Sequence, residues 1–375
     1  MKFAILFKYL LLCVAILGAL GAVAALLGFA YYRLHPVFGG QPDEASLARI
    51  RASKAYDGAQ FTNLEPTPLF TGDEQPSVFM ALLKFVKPTP HKNPAQPLPT
   101  VPLNLSQLKN GSIAWLGHSS VLFQMGDLVF LTDPVFHNAS PLPLTGRPFA
   151  MTHAPAVAGL PAIDAVLISH DHYDHLDYRA IQEIDSRTKR FFVPLGVKAH
   201  LQRWGVASRK ITELDWHEQV HLGQTAIIFV PARHFSGRTL RRNTTLWGGY
   251  VIKSPGMSLY FSADSGYGKH FLDIISKYAP FDFVMIENGA YNSKWALIHE
   301  TPEQAAQAAR DVKAMKVMPI HWGKFDLSDH PWKEPIERFL RAAQLHSLDV
   351  ATPRIDQVFQ MGQPLPKEKW WESVQ

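Results

Sequence analysis

The sequence predicts a layered α/β (α+β) domain carried behind an N-terminal membrane-spanning helix. Three observations lead there. An uncharged apolar run of 24 residues extends from Tyr9 to Tyr32. Beyond Gly111, short β-rich runs come first in series and then in alternation with helical patterns, the order expected of sheets covered by helices. Hydrophobic residues make up 47% of the chain and charged residues 18%, which supplies a sizeable core and excludes a disordered chain or a coiled coil. At 375 residues, and with roughly 150 residues per domain, the length allows two to three units. They divide as an anchor over 1–35, a proline-rich extension over 36–108 that packs on the core, and a main domain over 109–375.

The anchor comes first. A helix needs about 20 residues to cross the hydrocarbon layer. Tyr31, Tyr32 and Arg33 close the run with aromatic and basic side chains of the kind that settle at the interface. A cleaved signal peptide is the alternative. Ala22-Val23-Ala24 is a passable cleavage site, but the apolar sequence runs past it and exceeds the roughly 7–15 residues of a signal h-region. The amino terminus, Lys2 and Lys8 set the short end inside, while Arg33, Arg49 and Arg51 dilute the bias. On that reading the chain is a single-pass protein of a bacterial inner membrane, with its globular part outside the cytoplasm.

The extension carries Pro36, Pro66, Pro68, Pro76, Pro88, Pro90, Pro94, Pro97, Pro99 and Pro102, and so reads as an extended segment with a short helix near 45–55. Strands are expected at 112–116, 120–124, 128–132, 165–169, 191–194, 226–230, 258–262, 283–287 and 317–320. Helices are expected at 178–184, 197–204, 269–278 and 302–314. The last has a capping signature: Thr301 as N-cap, Pro302 at the first helical position and Gln304 three residues after the cap.

The chain has 17 histidines and one cysteine, Cys13, which excludes an intramolecular disulfide and a cysteine-based zinc site. The central signal is Ile168-Ser169-His170-Asp171-His172-Tyr173-Asp174-His175-Leu176-Asp177. It lies between a buried-strand pattern and a helix, so His170, His172, Asp174 and His175 share one turn at the end of a strand. Histidine with carboxylate and no cysteine suits zinc or a similar first-row metal. Four such groups are too many for one tetrahedral ion that keeps a reaction position open. They suit two ions about 3.5–4 Å apart. The remaining ligands then belong at later strand ends, where His234, Asp264 and His321 each follow a short apolar run.

This constellation resembles the metallo-β-lactamase fold superfamily. Trp115-Leu116-Gly117-His118-Ser119-Ser120, Phe130-Leu131-Thr132-Asp133-Pro134, Ala165-Val166-Leu167-Ile168-Ser169-His170 and Phe192-Val193-Pro194-Leu195-Gly196 narrow the likeness. With Glu213-Leu214-Asp215-Trp216, Gly289-Ala290-Tyr291 and Ile320-His321-Trp322-Gly323, they are similar to the N-acylphosphatidylethanolamine-hydrolysing phospholipase D group, which has bacterial members. These stretches span roughly 113–326, nearly the whole main domain.

The resemblance implies a four-layer αββα sandwich with two zinc ions per chain between its sheets. His170, His172 and His234 hold one zinc, Asp174, His175 and His321 the other, and Asp264 bridges them. A metal-bridging hydroxide is then the nucleophile, with Asp174 counted among the catalytic groups. Asp133 would orient a ligand histidine, or else act only as a turn residue before Pro134. His299, in Leu297-Ile298-His299-Glu300-Thr301-Pro302, matches a histidine that lines the family's active site. Arg238, Arg241 and Arg242 follow His234 and could contact phosphate, or form a solvated basic loop. Glu287, in Met285-Ile286-Glu287-Asn288, departs from the more apolar stretch of the animal enzyme. His118 and His137 are expected to be structural.

The leading expectation is a membrane-anchored dizinc hydrolase of phosphodiesters, phospholipase D-like, acting on N-acylphosphatidylethanolamine-type lipids. The net charge of +5 suits an anionic phospholipid or phosphate ester. Lactone hydrolysis on the same fold and a non-catalytic, metal-stabilised envelope protein are the alternatives. Expected partners are the lipid or other phosphodiester substrate and the membrane. A homodimer is allowed, and nucleic acid is not expected, because no separate RNA-binding arm is visible.

Overall fold

The computed structural model describes residues 2–71 and 89–374. Pro76 and Pro88 of the extension lie outside the described residues. Among the described residues, fourteen strands build two seven-stranded sheets. In the first, β1 (Ser112–Trp115), β2 (Val121–Met125) and β3 (Leu128–Thr132) run antiparallel. Parallel to β3 follow β4 (Ile163–Leu167), β5 (Thr188–Pro194) and β6 (Ile211–Leu214). The second sheet begins antiparallel with β7 (Gln219–Leu222), β8 (Thr225–Val230), β9 (Gly249–Ser254) and β10 (Met257–Phe261). It turns parallel through β11 (Phe283–Glu287), β12 (Lys316–Ile320) and β13 (Asp349–Val350). The last strand, β14 (Val358–Gln360), crosses back to pair with β1.

Strand periodicity divides the side chains among three packed layers. Phe130, Ala165, Leu167, Phe261, Met285 and Ile320 point between the sheets into one core. Their neighbours Leu131 and Val166 point outward, under α3 (Tyr178–Ile184) and α4 (Lys198–Arg203), where Ile181 and Leu201 cover them. On the far side Val284 and Ile286 meet α5 (His270–Tyr278), α6 (Pro302–Asp311) and α7 (Glu334–Leu345), through Ile274, Ala305 and Phe339. The result is the helix–sheet–sheet–helix sandwich expected from the resemblance.

Local chemistry explains where the elements begin and end. Thr301 and Gln304 form the reciprocal capping box, so α6 starts where predicted. It stops at Asp311 rather than 314, because Lys313 is left-handed at φ 55° and cannot continue a helix. β4 leaves its ladder before 169, where the Ser169 N–H turns to Asp133 Oδ1 at 2.7 Å. The short helix of the extension is α2 (Glu44–Ala52), capped by Asp43, whose side chain accepts from Ser46 N at 2.8 Å. Strands β6, β7, β9, β13 and β14 and helix α7 were not among the sequence expectations. Gly248-Gly249 masks β9, yet glycine is required there: a Cβ on Gly249 would stand 2.4 Å from the Phe261 carbonyl oxygen. In α7, Pro335 reads as a turn but sits in the first helical turn, where proline is tolerated.

The N-terminal α1 (Lys2–Leu34) is exposed over residues 5–29; its apolar length, Ile5–Leu34, has a mean hydropathy of 2.8 and is a membrane-anchor candidate by length and composition. Its C-terminal end is docked. Tyr31 Oη donates to the Pro141 carbonyl at 2.6 Å, and Trp204 Nε1 donates to that of Pro36 at 2.6 Å. Gly40 N donates to His200 Nδ1 at 3.0 Å.

Candidate metal centre

Strand ends assemble the site. Asp133 follows β3, the His170–His175 turn follows β4, His234 follows β8, and Asp264 and His321 follow β10 and β12. Parallel strands put their carboxyl ends on one edge, where open α/β sheets place ligands. Because the two sheets face each other, both sets of side chains meet there. The turn is stitched down by Asp177, the N-cap of α3, which also accepts from the backbone N–H groups of Phe136 and His137 at 3.1 and 2.9 Å. Trp322 holds the His321 loop by stacking on Trp115 and Trp370, with ring centroids 5.2 and 5.3 Å apart. Such pairs contribute about 0.5–1.5 kcal/mol each beyond burial.

All seven expected metal ligands come together. His170 Nε2 lies 2.9 Å from His172 Nδ1, and His234 Nε2 lies 3.3 Å from the same atom. His175 Nε2 lies 3.5 Å from Asp174 Oδ2. Asp264 stands between the groups: its Oδ2 is 3.1 Å from His175 Nε2, 3.8 Å from His234 Nε2 and 4.0 Å from His170 Nε2, while Oδ1 is 2.9 Å from His321 Nδ1.

The donors fit metal ions. Asp264 Oδ1, His175 Nε2 and His321 Nε2 are buried and lack any aligned hydrogen bond. Buried polar atoms are ordinarily paired, so three orphans in one nest of imidazole and carboxylate call for a cation. The electrostatics agree. Burial pushes His170 and His234 well below the usual histidine range, so both are held neutral, the form a metal ion requires of imidazole. Burial also opposes charge on His175, yet Asp264 and Asp174 raise it well above that range. The two carboxylates thus draw positive charge into the site.

Outer partners aim the imidazoles. Asp133 Oδ2 accepts from His175 Nδ1 at 2.8 Å, while Ser169 Oγ donates to the same oxygen at 2.6 Å. Asp133 therefore orients His175, as the first of its two expected roles would require. The Ile298 carbonyl pairs with His234 Nδ1 at 2.9 Å. His118, expected to be structural, lies in the cluster with Asp174, His175 and His321, its Nε2 3.0 Å from Asp174 Oδ2. Burial pushes it down to about 3. Its sequence signal was its place in the Trp115–Ser120 stretch that carries the resemblance. His118, Asp133 and His321 are all left-handed, at φ 56°, 34° and 66°. Such strain costs on the order of 1–2 kcal/mol per residue, and tertiary contacts must offset it. His137 remains structural, with Nδ1 2.8 Å from Asp177 Oδ2.

A cavity of about 280 Å³ opens over the cluster, lined by His299, Arg242 and the apolar side chains of Phe70, Phe235, Trp295 and Ile298. His299 Nδ1 makes a short contact with Glu287 Oε1, and burial pushes the imidazole down to about 3. Gly266 lets the 297–299 segment approach, since a Cβ there would stand 1.9 Å from the Leu297 carbonyl oxygen.

The three arginines part company. Arg242 faces the cavity, and Arg241 is exposed. Arg238 cannot contact phosphate as expected. It is buried, donating to the carbonyls of Val37, Asp171 and Leu176 at 2.7–2.8 Å, with Tyr173 and Trp204 against its guanidinium. It ties the segment after α1 to the histidine–aspartate turn. Hydrogen bonds from a charged donor contribute about 1.5–3 kcal/mol each. Arg238→Ala is therefore expected to lower the thermal midpoint and weaken metal retention, with KM for a small diester unchanged among metal-loaded molecules. A raised KM with an unchanged thermal midpoint would restore the phosphate role.

Comparison with known proteins follows the same lines. The chain matches the family described as the β-lactamase superfamily domain over residues 129–322. An uncharacterized protein of Mycobacterium tuberculosis (strain ATCC 25618 / H37Rv) is 39% identical over 340 residues, covering 87% of this chain and 91% of that one. N-acyl-phosphatidylethanolamine-hydrolyzing phospholipase D 1 of Caenorhabditis elegans is 34% identical over 227 residues, 57% of this chain and 64% of that protein. Among solved structures, a metallo hydrolase of the hyperthermophilic archaeon Ignicoccus hospitalis superposes with a TM-score of 0.51 at 18% identity, covering 66% of this chain and 97% of that one, a likeness of fold.

Proposed function

The chain belongs to the metallo-β-lactamase superfamily, and from that premise we propose that it is a membrane-anchored, dizinc hydrolase of phosphodiesters. One observation carries the reading: Asp264 lies within 4.0 Å of His170 and His234 on one side and of His175 and His321 on the other. On this proposal His170, His172 and His234 hold one zinc, Asp174, His175 and His321 hold the second, and Asp264 bridges. When bound, the two ions supply Lewis acidity at a phosphoryl oxygen and a water of lowered pKa.

The chain's own residues do the rest. His118 and Asp133 keep Asp174 and His175 in place. Phe70, Phe235, Trp295 and Ile298 exclude water from the cavity and offer an apolar wall to a lipid chain. Arg242 faces the same space and pairs with phosphate charge. His299 stands at the cavity wall and serves as the acid for the leaving oxygen.

The substrate is of the N-acylphosphatidylethanolamine type. The name of the C. elegans relative supports this, and so does the position of the candidate anchor. Phe235 and Arg242 line the site cavity, while Arg238, on the same loop, lines a second cavity of about 520 Å³ beside Tyr31 and His35 at the end of α1. A single loop thus separates the helix exit from the site.

Metal analysis tests the centre. Reconstituted full-length protein is expected to hold two zinc ions per chain, and their removal by a chelator should lower the thermal midpoint, since a ligand bound only to the folded state stabilises it. One ion or none overturns the dinuclear reading. A panel of diester lipids, aryl phosphodiesters and lactones then tests the substrate class: turnover of lactones alone would replace the phosphodiester reading.

A further inference from the structure

The Glu287 carboxylate stands outside the seven-ligand set, and its surroundings give it a role. It ends β11, whose five residues are all buried, and it is itself 0% exposed. A buried carboxylate is unfavourable unless each oxygen finds a partner. Oε2 accepts from the backbone N–H of Ser265, next to Asp264, and Oε1 meets His299 Nδ1. Glu287 is therefore held at both oxygens, and among the described residues its sole side-chain hydrogen-bond partner is His299. Among the described residues no protein atom pairs with His299 Nε2, and the ring lines the site cavity beside Asp264 and Asp174. Its centroid is 5.0 Å from that of His234 and 5.5 Å from that of His321.

We infer that Glu287 is a positioning residue for His299: it takes the Nδ1–H hydrogen bond, locks the ring orientation and so presents Nε2 to the oxygen that leaves phosphorus. The inference rests on the proposed acid role of His299. In the step it serves, the attacking water oxygen forms the new bond to phosphorus and its released proton passes through solvent to Nε2; the bond between phosphorus and the leaving oxygen breaks, its electron pair stays on that oxygen, and the oxygen takes the proton from Nε2. The balance is one water and one diester giving one alcohol and one phosphomonoester, with nothing oxidised or reduced. During the step the Nδ1–H stays on its nitrogen, in the hydrogen bond to Glu287 Oε1, so the ring gives its proton from Nε2 alone. The competing role is direct ligation, because Asp264, Glu287, His299 and His321 each offer an atom within 4.8 Å of the others.

A double-mutant cycle decides. Full-length, zinc-loaded wild type, Glu287→Gln, His299→Ala and the double variant are assayed on an alkyl-leaving phosphodiester lipid and on an aryl phosphodiester, with metal content measured for each. Glu287→Gln is expected to lower kcat on the alkyl substrate by about 10–100-fold, the usual range for partners that orient a functional group. KM and zinc content should be unchanged, and the aryl substrate, with its good leaving group, should suffer less. In the His299→Ala background the substitution should cost nothing further. In ¹⁵N spectra, with the His299 signal assigned by its loss in His299→Ala, the wild type should show a single Nδ1–H tautomer and Glu287→Gln a mixture. Loss of zinc on Glu287→Gln would make Glu287 a ligand and overturn the inference, as would a loss of kcat that persists without His299. An impaired His299→Ala beside a wild-type Glu287→Gln overturns the inference and leaves the acid role standing. A wild-type His299→Ala overturns both.

Discussion

Asp264→Asn is expected to abolish turnover, lowering kcat by on the order of 10³-fold or more, as losses of a central electrostatic group do. The substitution keeps the volume of the side chain and removes only the charge. That charge is the one feature shared by both halves of the centre, since Asp264 Oδ2 lies 3.1 Å from His175 Nε2 and 3.8 Å from His234 Nε2. In the proposed dinuclear centre, an amide there would leave two cations facing each other without the anion between them. Zinc content should fall below two per chain, so metal analysis and kinetics should fail together. Near-normal activity in this variant would show that another group bridges.

His299→Ala is expected to leave zinc content and folding intact and to lower kcat on an alkyl-leaving diester by about 10²–10⁴-fold, the range of a positioned acid or base. The side chain is 12% exposed and faces the cavity rather than the core, so its removal opens little packing. An aryl phosphodiester needs less protonation of its leaving oxygen and should lose less, whereas simple positioning would hurt both substrates alike. A variant with wild-type kcat on both would remove His299 from the chemistry.

The contacts at the end of α1 bear on what truncation should do. A chain that begins at Pro36 loses the Tyr31–Pro141 bond yet keeps the Val37 carbonyl that accepts from Arg238. It is expected to fold, bind metal and cleave a water-soluble diester. Beginning instead at Gln41 removes Val37 and leaves Arg238 Nε buried without its partner, so the thermal midpoint should drop between the two. Equal thermal midpoints would show that Val37 contributes nothing.

Some of the molecule is local in the chain, and sequence alone determined it. His170, His172, Asp174 and His175 lie within six residues, directly after an apolar run, so spacing alone places them in one turn. The α6 capping box spans Thr301 to Gln304, and its partners are fixed by a single helical turn. The apolar length of α1 needs no partner to be read. His234, Asp264 and His321 were legible one step less directly, because each ends a short apolar run and strand ends gather on one edge.

What remained was decided only when distant segments met. Asp133 finds His175 42 residues away, Arg238 finds Val37 201 residues away, and His118 finds Asp174 56 residues away. Nothing in the neighbouring sequence of these residues differs from that of an ordinary turn aspartate, a basic loop or a surface histidine. Glu287 was visible as a carboxylate at the end of an apolar strand, but not its partner, because β11 reaches His299 only after the chain has turned through residues 288–298. Hydrogen-bond partners are chosen by distance and direction in the packed state, and burial, which makes those choices costly to violate, exists only there.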